Sequence, residues 1–189
     1  MNITDNIVLQ RPGLHHSREL YELVTANHQY LRTWLPWLDV NRSEANTLAF
    51  LRFVIEQYES GHGPQYLIFV DSVLCGMCGF HPLDTRNRIG GIGYWLGESH
   101  CGKGIMTRCV RGLLELGYGE YNLNRIEIAC ATENVKSRAI PERLGFKLEG
   151  IMRQNEYLYD RYVDHAVYSM LASEFAALNK QTAQELAKC

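Results

Sequence analysis

From residue 89 the chain reads Ile89-Gly90-Gly91-Ile92-Gly93-Tyr94-Trp95-Leu96, and from residue 101 it reads Cys101-Gly102-Lys103-Gly104-Ile105-Met106-Thr107. The first run predicts an apolar strand, and the second predicts a glycine turn at the start of a helix. The first backbone N–H groups of a helix have no partner within it, and the helix dipole adds positive charge there. Glycines let a ligand approach the main chain closely. The stretch therefore predicts a site for a phosphorylated ligand.

Three kinds of phosphate site are compatible with this turn. Residues 97–103 fit the P-loop spacing Gly-x-x-x-x-Gly-Lys, but Gly104 stands where a Ser or Thr hydroxyl would bind Mg²⁺. The next predicted strand, Arg125–Ala131, does not end in an aspartate that could hold the metal. A dinucleotide site would need a third glycine at Thr107 and a preceding βαβ unit, and both are absent from the sequence. The third kind is a pyrophosphate site of the coenzyme A type.

Composition indicates one globular domain, residues 1–189, because the chain is 46% hydrophobic and long enough for a full core. The net charge of −2 gives no basic surplus for binding nucleic acid or a membrane surface. No apolar run approaches the ~20 residues of a membrane span, and Met1–Asp5 lacks the pattern of a signal peptide. We therefore expect a cytoplasmic protein.

The six cysteines are scattered: Cys75, Cys78, Cys101, Cys109, Cys130 and Cys189. The Cys75-x-x-Cys78 spacing occurs in metal and redox sites, but no second pair accompanies it, so we expect no metal. Small apolar residues of a reduced protein are the simpler interpretation. Cys101 is interpreted as opening a helix N-terminus, which makes it a candidate reactive thiol, with ordinary packing as the alternative.

Hydrophobic periodicity predicts an α+β fold with a mixed central sheet and helices on both faces. The predicted strands are Ile7–Leu9, Gln65–Val70, Val73–Phe80, Ile89–Leu96, Arg125–Ala131, Phe146–Arg153 and Tyr162–Leu171. The predicted helices begin near Ser17, Ser43, Ile105, Val135 and Ser173. The first carries Leu20, Leu23, Val24 and Leu31 on one face, and the second carries Leu48, Leu51, Ile55 and Tyr58.

The strands Ile89–Leu96 and Arg125–Ala131 are expected to form a parallel pair, since a helix separates them. Glycines at 90, 91 and 93 predict a bend or bulge in the first of them. Pro141 is expected to cost the short helix Val135–Leu144 an internal hydrogen bond, and Gly145 suits its left-handed cap.

Several motifs together resemble the GNAT acyltransferase family. Its phosphate signature, Gln/Arg-x-x-Gly-x-Gly/Ala, is similar to residues 101–106, with departures at Cys101 and Met106. The bacterial ribosomal-protein N-terminal acetyltransferases, above all those that act on an N-terminal serine, have stretches resembling Gly93–Leu96, Asn134-x-x-Ser137, Arg143–Phe146 and Leu148–Gly150. The strong resemblance covers roughly Gly76 to Leu171, and the first 70 residues match more loosely.

The resemblance implies a single GNAT domain whose parallel strands splay apart, with acetyl-CoA as cofactor and its pantetheine arm in the gap. Main-chain groups of Tyr94, Trp95 and Leu96 would pair with the pantetheine, and the Leu96 N–H would polarise the thioester carbonyl. The pyrophosphate would be held by the N–H groups of Gly102, Lys103, Gly104, Ile105, Met106 and Thr107. His100, beside this turn, is a further candidate for cofactor contact.

The resemblance also implies catalytic roles. Much of the family has a tyrosine acid seven residues after the asparagine, where this chain has Pro141. The ribosomal branch instead has a serine three residues after the asparagine, so the resemblance makes Ser137 the candidate acid and Asn134 a pantetheine partner. Helix capping is the alternative for both. Glu156 matches the branch's base, with a merely solvated glutamate as the alternative.

Tyr30, Trp34 and Trp37 are candidates for the wall of an acceptor site, with core packing as the alternative. The predicted function is N-acetylation of a primary amine, most simply the α-amine of a ribosomal protein. Acetylation of a small amine and a non-catalytic coenzyme A module remain alternatives. An open cleft lined by Glu156 and the tryptophans would favour a peptide, and a closed acidic pocket would favour a polyamine or an aminoglycoside. The oligomeric state is left open, a homodimer included.

Overall fold

The computed structural model describes residues 1–186. Its strands are β1 (Ile7–Gln10), β2 (Gln65–Val70), β3 (Val73–Phe80), β4 (Ile89–Leu96), β5 (Arg125–Ala131), β6 (Lys147–Leu158) and β7 (Arg161–Leu171). Its helices are α1 (Ser17–Ala26), α2 (His28–Arg32), α3 (Glu44–Glu59), α4 (Ile105–Gly119), α5 (Val135–Leu144) and α6 (Ala172–Leu186). The last three residues of the predicted domain, Cys189 among them, lie outside the described residues. Within residues 1–186, none of the helices has the length and apolar character needed to cross a lipid bilayer.

The strands form one sheet in the order β1-β2-β3-β4-β5-β7-β6, and β4 and β5 are its parallel pair. Their pairing covers Ile89–Gly91 against Arg125–Glu127 and then stops. Beyond that point β4 continues along β3 to Leu96, while β5 continues along β7 to Ala131. The predicted splayed pair is therefore confirmed, and a gap opens inside the sheet.

Helices cover both faces of the sheet, as predicted. Consecutive residues of a strand point to opposite faces, and Leu67 and Ile68 of β2 show this directly. Leu67 packs with buried residues of α1, α2 and α3, whereas Ile68 packs with the apolar side of α4. The side chains predicted to share that side of α4, Ile105, Cys109, Val110, Leu113 and Leu114, are all buried. Two hydrophobic layers thus hold β3 and β4 rigid beside the gap.

The predicted first helix is broken at Asn27. The Asn27 side chain donates to the Leu23 carbonyl at 2.9 Å and accepts the Glu98 N–H at 2.9 Å. A side chain that bonds to nearby backbone competes with helix continuation, and here it also ties the break to the loop after β4. As a result α2 begins at His28 and lies beside the open end of the gap.

The structure shows no bulge where β4 pairs with β3, and the alternative of a bend stays a prediction. The β3–β4 register runs from Gly76↔Leu96 to Phe80↔Ile92 with no shift over these residues. The β4 glycines serve close packing instead. A Cβ on Gly93 would lie 2.8 Å from His81 Nε2, and one on Gly90 would lie 2.8 Å from Leu123 Cδ1.

Candidate active site

A cavity of about 820 Å³ lies beside the free end of β4, at Tyr94–Leu96, and is bounded by α2 and by the first turns of α4 and α5. This volume is typical of a site for a small ligand or cofactor. It is lined by Tyr30, Leu31, Trp34, Leu35, Tyr94, Trp95, Leu96, Glu98, His100, Cys101, Gly102, Gly104, Ile105, Met106, Thr107, Arg108, Asn134, Lys136, Ser137, Ala139, Ile140 and Arg143. Most of the residues predicted from the sequence are therefore brought together here.

The glycine turn presents the start of α4 to the cavity. Gly102 and Gly104 have φ of 76° and 73°, the left-handed region that glycine enters without steric cost. Gly104 is the N-cap of α4, and among residues 1–186 no side chain caps it. A Cβ on Gly102 would meet nothing within 4 Å. Open N–H groups at a dipole's positive end, with free space before them, are suited to a diphosphate.

Two arginines beside this turn, and a lysine on α5 whose Nζ lies 5.6 Å from the centre of the Tyr30 ring, were not predicted as site residues. Arg108 Nη1 donates to the Lys103 carbonyl at 3.3 Å, and Arg143 Nη1 donates to Thr107 Oγ1 at 2.8 Å. Both guanidinium groups and Lys136 line the cavity, where their charge favours phosphate. The sequence could have indicated Arg108, because this residue stands one helical turn after Gly104. Lys103 is not among the described residues that line the cavity, so the predicted contact of its N–H with the pyrophosphate stays a prediction.

The edge of β4 supplies main-chain groups to the gap. In an antiparallel pair, alternate residues bond to the partner strand. Gly97 N bonds to Cys75 O at 2.8 Å and Gly91 O accepts from His81 N at 2.8 Å, so the odd-numbered residues of β4 face β3. The peptide groups of Tyr94 and Leu96 consequently face the gap, as their predicted roles require. The peptide groups of Trp95 face β3, so its main chain is not placed to pair with the pantetheine, although the residue lines the cavity.

Asn134 and Ser137 meet at the start of α5. Asn134 is the N-cap, and its Oδ1 accepts the Ser137 N–H at 3.2 Å, so the capping role is real. Ser137 is not merely solvated, since its Oγ donates to Tyr94 Oη at 3.3 Å across the gap. The contact places the Ser137 hydroxyl beside the β4 edge, where a thioester between the strands would lie.

The hydroxyl groups at this point are neutral. Burial raises the pKa of Tyr94 well above its usual value. Burial also raises the pKa of Cys130 on β5, although a hydrogen bond with Ser137 opposes this shift. Burial and the neighbouring Lys103 lower the pKa of His100 at the phosphate end. The inner part of the cavity therefore offers uncharged donors, and the positive charge is concentrated at the turn.

Glu156 lies on β6, which is separated from the gap by β5 and β7. The β6–β7 register shifts between Met152 and Glu156, and this irregularity brings Glu156 Oε2 to 3.5 Å from His165 Nε2. His165 pairs with Ala131 at the splayed end of β5. Glu156 is half-buried and is not part of the cavity lining that the structure describes. Its role as base stays a prediction.

Of the three aromatic candidates, two line the cavity. Tyr30 and Trp34 stand on the side of α2, and Trp34 also packs against Ala131, Leu158 and Val163. Trp37 does not reach the cavity, because its ring packs 6.1 Å from that of Trp95 in the layer under α1 and α3. Core packing is therefore its role.

The predicted position of Cys101 at a helix start is wrong. Cys101 ends a short 3₁₀ turn, Glu98–His100, and α4 begins only after Gly104. Its Sγ lies 3.2 Å from Tyr30 Oη. Burial raises the pKa of Tyr30, so its phenol stays neutral at this side of the cavity. Cys75 and Cys78 are buried in the core, where the Cys75 thiol donates to the Ile68 carbonyl at 3.2 Å.

The chain belongs to the acetyltransferase (GNAT) domain family, whose sequence profile matches residues 6–147. The fold and the site define an N-acetyltransferase that uses acetyl-CoA. The cavity fits this cofactor, with open N–H groups and arginines for its diphosphate and a free strand edge for its pantetheine arm.

Three individual proteins show which members of the family this chain is similar to. The chain is 36% identical to a Bacillus subtilis protein provisionally named ribosomal N-acetyltransferase YdaF, covering 92% of this chain and 95% of the relative. It is 29% identical to the ribosomal-protein-serine acetyltransferase of Escherichia coli, covering 90% and 96%. It superposes with a TM-score of 0.87 on RimL, a ribosomal L7/L12 α-N-protein acetyltransferase solved with coenzyme A, at 30% identity over 90% of this chain and 96% of RimL. The predicted family resemblance is confirmed and extends into the first 70 residues.

Proposed function

We propose that the acceptor is the N-terminal α-amine of a ribosomal protein. The observation that carries this proposal is the likeness over about nine-tenths of the chain to proteins named for that activity. The cavity is compatible with this acceptor, because Tyr30 and Trp34 present aromatic surface in the same cavity that Ser137 lines.

The charge of the cavity disfavours a polyamine or an aminoglycoside. Such acceptors carry several positive charges and need several carboxylates. The described lining holds one carboxylate, Glu98, against the cations Arg108, Lys136 and Arg143. Within residues 1–186 the lining therefore does not form the acidic pocket that would favour a polyamine, and of the residues expected beside a peptide it includes Trp34 but not Glu156 or Trp37. The proposed acceptor needs only one amine, presented at the end of a peptide.

We infer the following roles from the β4 register and from the family resemblance, and the role of Glu156 rests on the resemblance alone. Acetyl-CoA supplies the acetyl group as a thioester. The Leu96 N–H, which faces the gap, hydrogen-bonds the thioester oxygen as negative charge develops there. Glu156 would take, through water, the proton that makes the acceptor an ammonium. The freed amine would then bond to the acyl carbon as the carbon–sulfur bond breaks, and the nitrogen would lose its second proton to solvent. Ser137 Oγ gives its proton to the departing sulfur and regains one from water.

The test measures thiol release from acetyl-CoA with an amine panel. The panel contains peptides with the N-terminal sequences of ribosomal proteins, beginning with Ser, Ala or Met, together with polyamines and aminoglycosides. We expect turnover with a peptide and an acetyl group on its α-amine by mass spectrometry. The matched control is the same peptide already acetylated at its N-terminus. Equal rates with free and blocked peptides, or faster turnover of a polyamine, would overturn the proposed acceptor.

A further inference from the structure

Pro141 leaves one carbonyl of α5 without its usual partner. In a continuous helix the carbonyl of residue 137 accepts the N–H of residue 141. Proline has no N–H, and its ring crowds the carbonyl four residues before it. Pro141 lies inside α5 and is buried, so water does not reach the proline side of this turn freely. The Ser137 carbonyl therefore needs a partner from elsewhere.

Tyr94 supplies that partner from the opposite side of the gap. Its hydroxyl donates to the Ser137 carbonyl at 3.0 Å. The same oxygen accepts the Ser137 hydroxyl at 3.3 Å. One tyrosine thus binds both the main chain and the side chain of Ser137, while Asn134 binds its N–H. Ser137 is held at three atoms, two of them by a residue of β4.

We propose that Tyr94 is a positioning residue for the acid step: its hydroxyl, recruited by the carbonyl that Pro141 leaves free, holds Ser137 Oγ at the point where β4 and β5 diverge. The assignment rests on the proposed acid role of Ser137. Without the Tyr94 hydroxyl the first turn of α5 loses its hydrogen bonds to β4 at this point, and among the described residues the serine hydroxyl keeps only its contact with Cys130 on β5. A proton donor must be held within hydrogen-bond distance of the atom it protonates, so its loss appears in turnover.

The first experiment is Tyr94→Phe, which removes the hydroxyl and keeps the ring. We expect kcat to fall about 3- to 10-fold, the value of one ordinary hydrogen bond, with KM for acetyl-CoA unchanged. The matched control is Tyr118→Phe. The Tyr118 hydroxyl likewise donates to a carbonyl, that of Met170 at 2.7 Å, but it does so between α4 and β7, outside the cavity lining. We expect the control to lower the melting temperature and to leave kcat unchanged. Equal kcat for Tyr94→Phe and the wild type would overturn the proposal.

The second experiment separates positioning from support of the fold. Pro141→Ala restores an N–H for the Ser137 carbonyl. Tyr94→Phe should therefore lower the melting temperature less in the Pro141→Ala protein than in the wild type. Pro141→Ala does not restore the contact to Ser137 Oγ, so Tyr94→Phe should lower kcat by the same factor in both proteins. If kcat recovers together with the melting temperature, Tyr94 only supports the helix and the proposal is wrong.

A double-mutant cycle with Ser137→Ala tests the link to the acid. Tyr94→Phe should cause no further loss of kcat once the serine hydroxyl is gone, and a full additional loss would overturn the proposal. Failure of the proposed acceptor gives a different result, because no ribosomal peptide then reacts with the wild type. In that case the same variants are compared in the slow hydrolysis of acetyl-CoA without an amine, where the sulfur still has to be protonated.

Discussion

Replacing Gly104 with valine tests the phosphate site most directly. Gly104 has φ of 73°, a conformation in which a β-branched residue is a strong outlier. A Cβ there would lie 3.5 Å from Arg108 Nη1, an ordinary contact, so the folded protein has room for part of the new side chain. The space that valine fills is the mouth of the turn, where the diphosphate is expected.

Gly104→Val is expected to have two separate effects, one on stability and one on acetyl-CoA binding. A left-handed conformation costs a non-glycine residue about 1–2 kcal/mol. For a chain of this size that corresponds to a melting temperature lower by about 2–8 °C. Separately, the loss of a single charge-assisted hydrogen bond to the diphosphate, worth about 1.5–3 kcal/mol, weakens acetyl-CoA binding by about 10- to 150-fold.

Gly61→Val is the matched control for strain. Gly61 has φ of 78° and follows α3 at a distance from the cavity, and a Cβ on it would meet nothing within 4 Å. Calorimetry of acetyl-CoA binding and thermal melting of both variants give the two effects separately. Both variants should melt earlier, and only Gly104→Val should bind acetyl-CoA more weakly. Wild-type affinity in Gly104→Val would refute the assignment of the diphosphate to this turn.

Three further predictions concern single side chains. Ser137→Ala should slow turnover by about 10²- to 10⁴-fold with acetyl-CoA affinity unchanged in calorimetry, and unchanged kcat would exclude Ser137 as the acid. Glu156→Gln should lower kcat/KM for the amine most at neutral pH, and the deficit should narrow as pH rises through the ordinary α-amine pKa of about 8, where solvent deprotonates the acceptor; a deficit independent of pH contradicts a base role. Hydrogen bonds from Ser169 and Arg125 lower the pKa of Glu149, so its stabilising contribution is complete above the usual value of 4.5 and is lost as pH falls through its lower folded pKa. Glu149→Gln should therefore lower the melting temperature at pH 7 but have less effect near pH 4, and an equal effect at both pH values contradicts this linkage.

The sequence predicted the elements whose apolar residues follow one period. In α4 the spacing of Ile105, Cys109 and Leu113 was sufficient, because the helix packs on one face only. The break at Asn27 was not predictable in this way, since its partner Glu98 is far away in sequence. In α3 the residues buried beside Leu51 include Thr47 and Gln57. Gln57 is buried because its amide donates to the carbonyls of Gly63 and Phe80, at 3.1 Å and 3.0 Å, and hydrophobic periodicity carries no such information.

The candidate site likewise contains residues whose roles could be predicted from the sequence and residues whose roles could not. Main-chain positions such as Leu96 and Gly104 were predicted because their role depends on local backbone geometry. Trp37 was misplaced because an aromatic side chain can face either the core or a cavity, and the neighbouring layers decide which. The Tyr94–Ser137 contact joins residues on two separate elements, and the sequence alone does not show that these elements approach each other.

The gap inside the sheet makes ligand binding part of the protein's folding energetics. Past Gly91 and Glu127, neither β4 nor β5 has a strand partner on the side that faces the other. An extended ligand with amide groups that lies in this gap can hydrogen-bond to the free strand edges, as an additional strand would. With free ligand at about 100 times its Kd, the native state gains about 2.7 kcal/mol over the unfolded chain. The concentration of acyl carrier around the protein would then set its resistance to unfolding and proteolysis as well as its rate of catalysis.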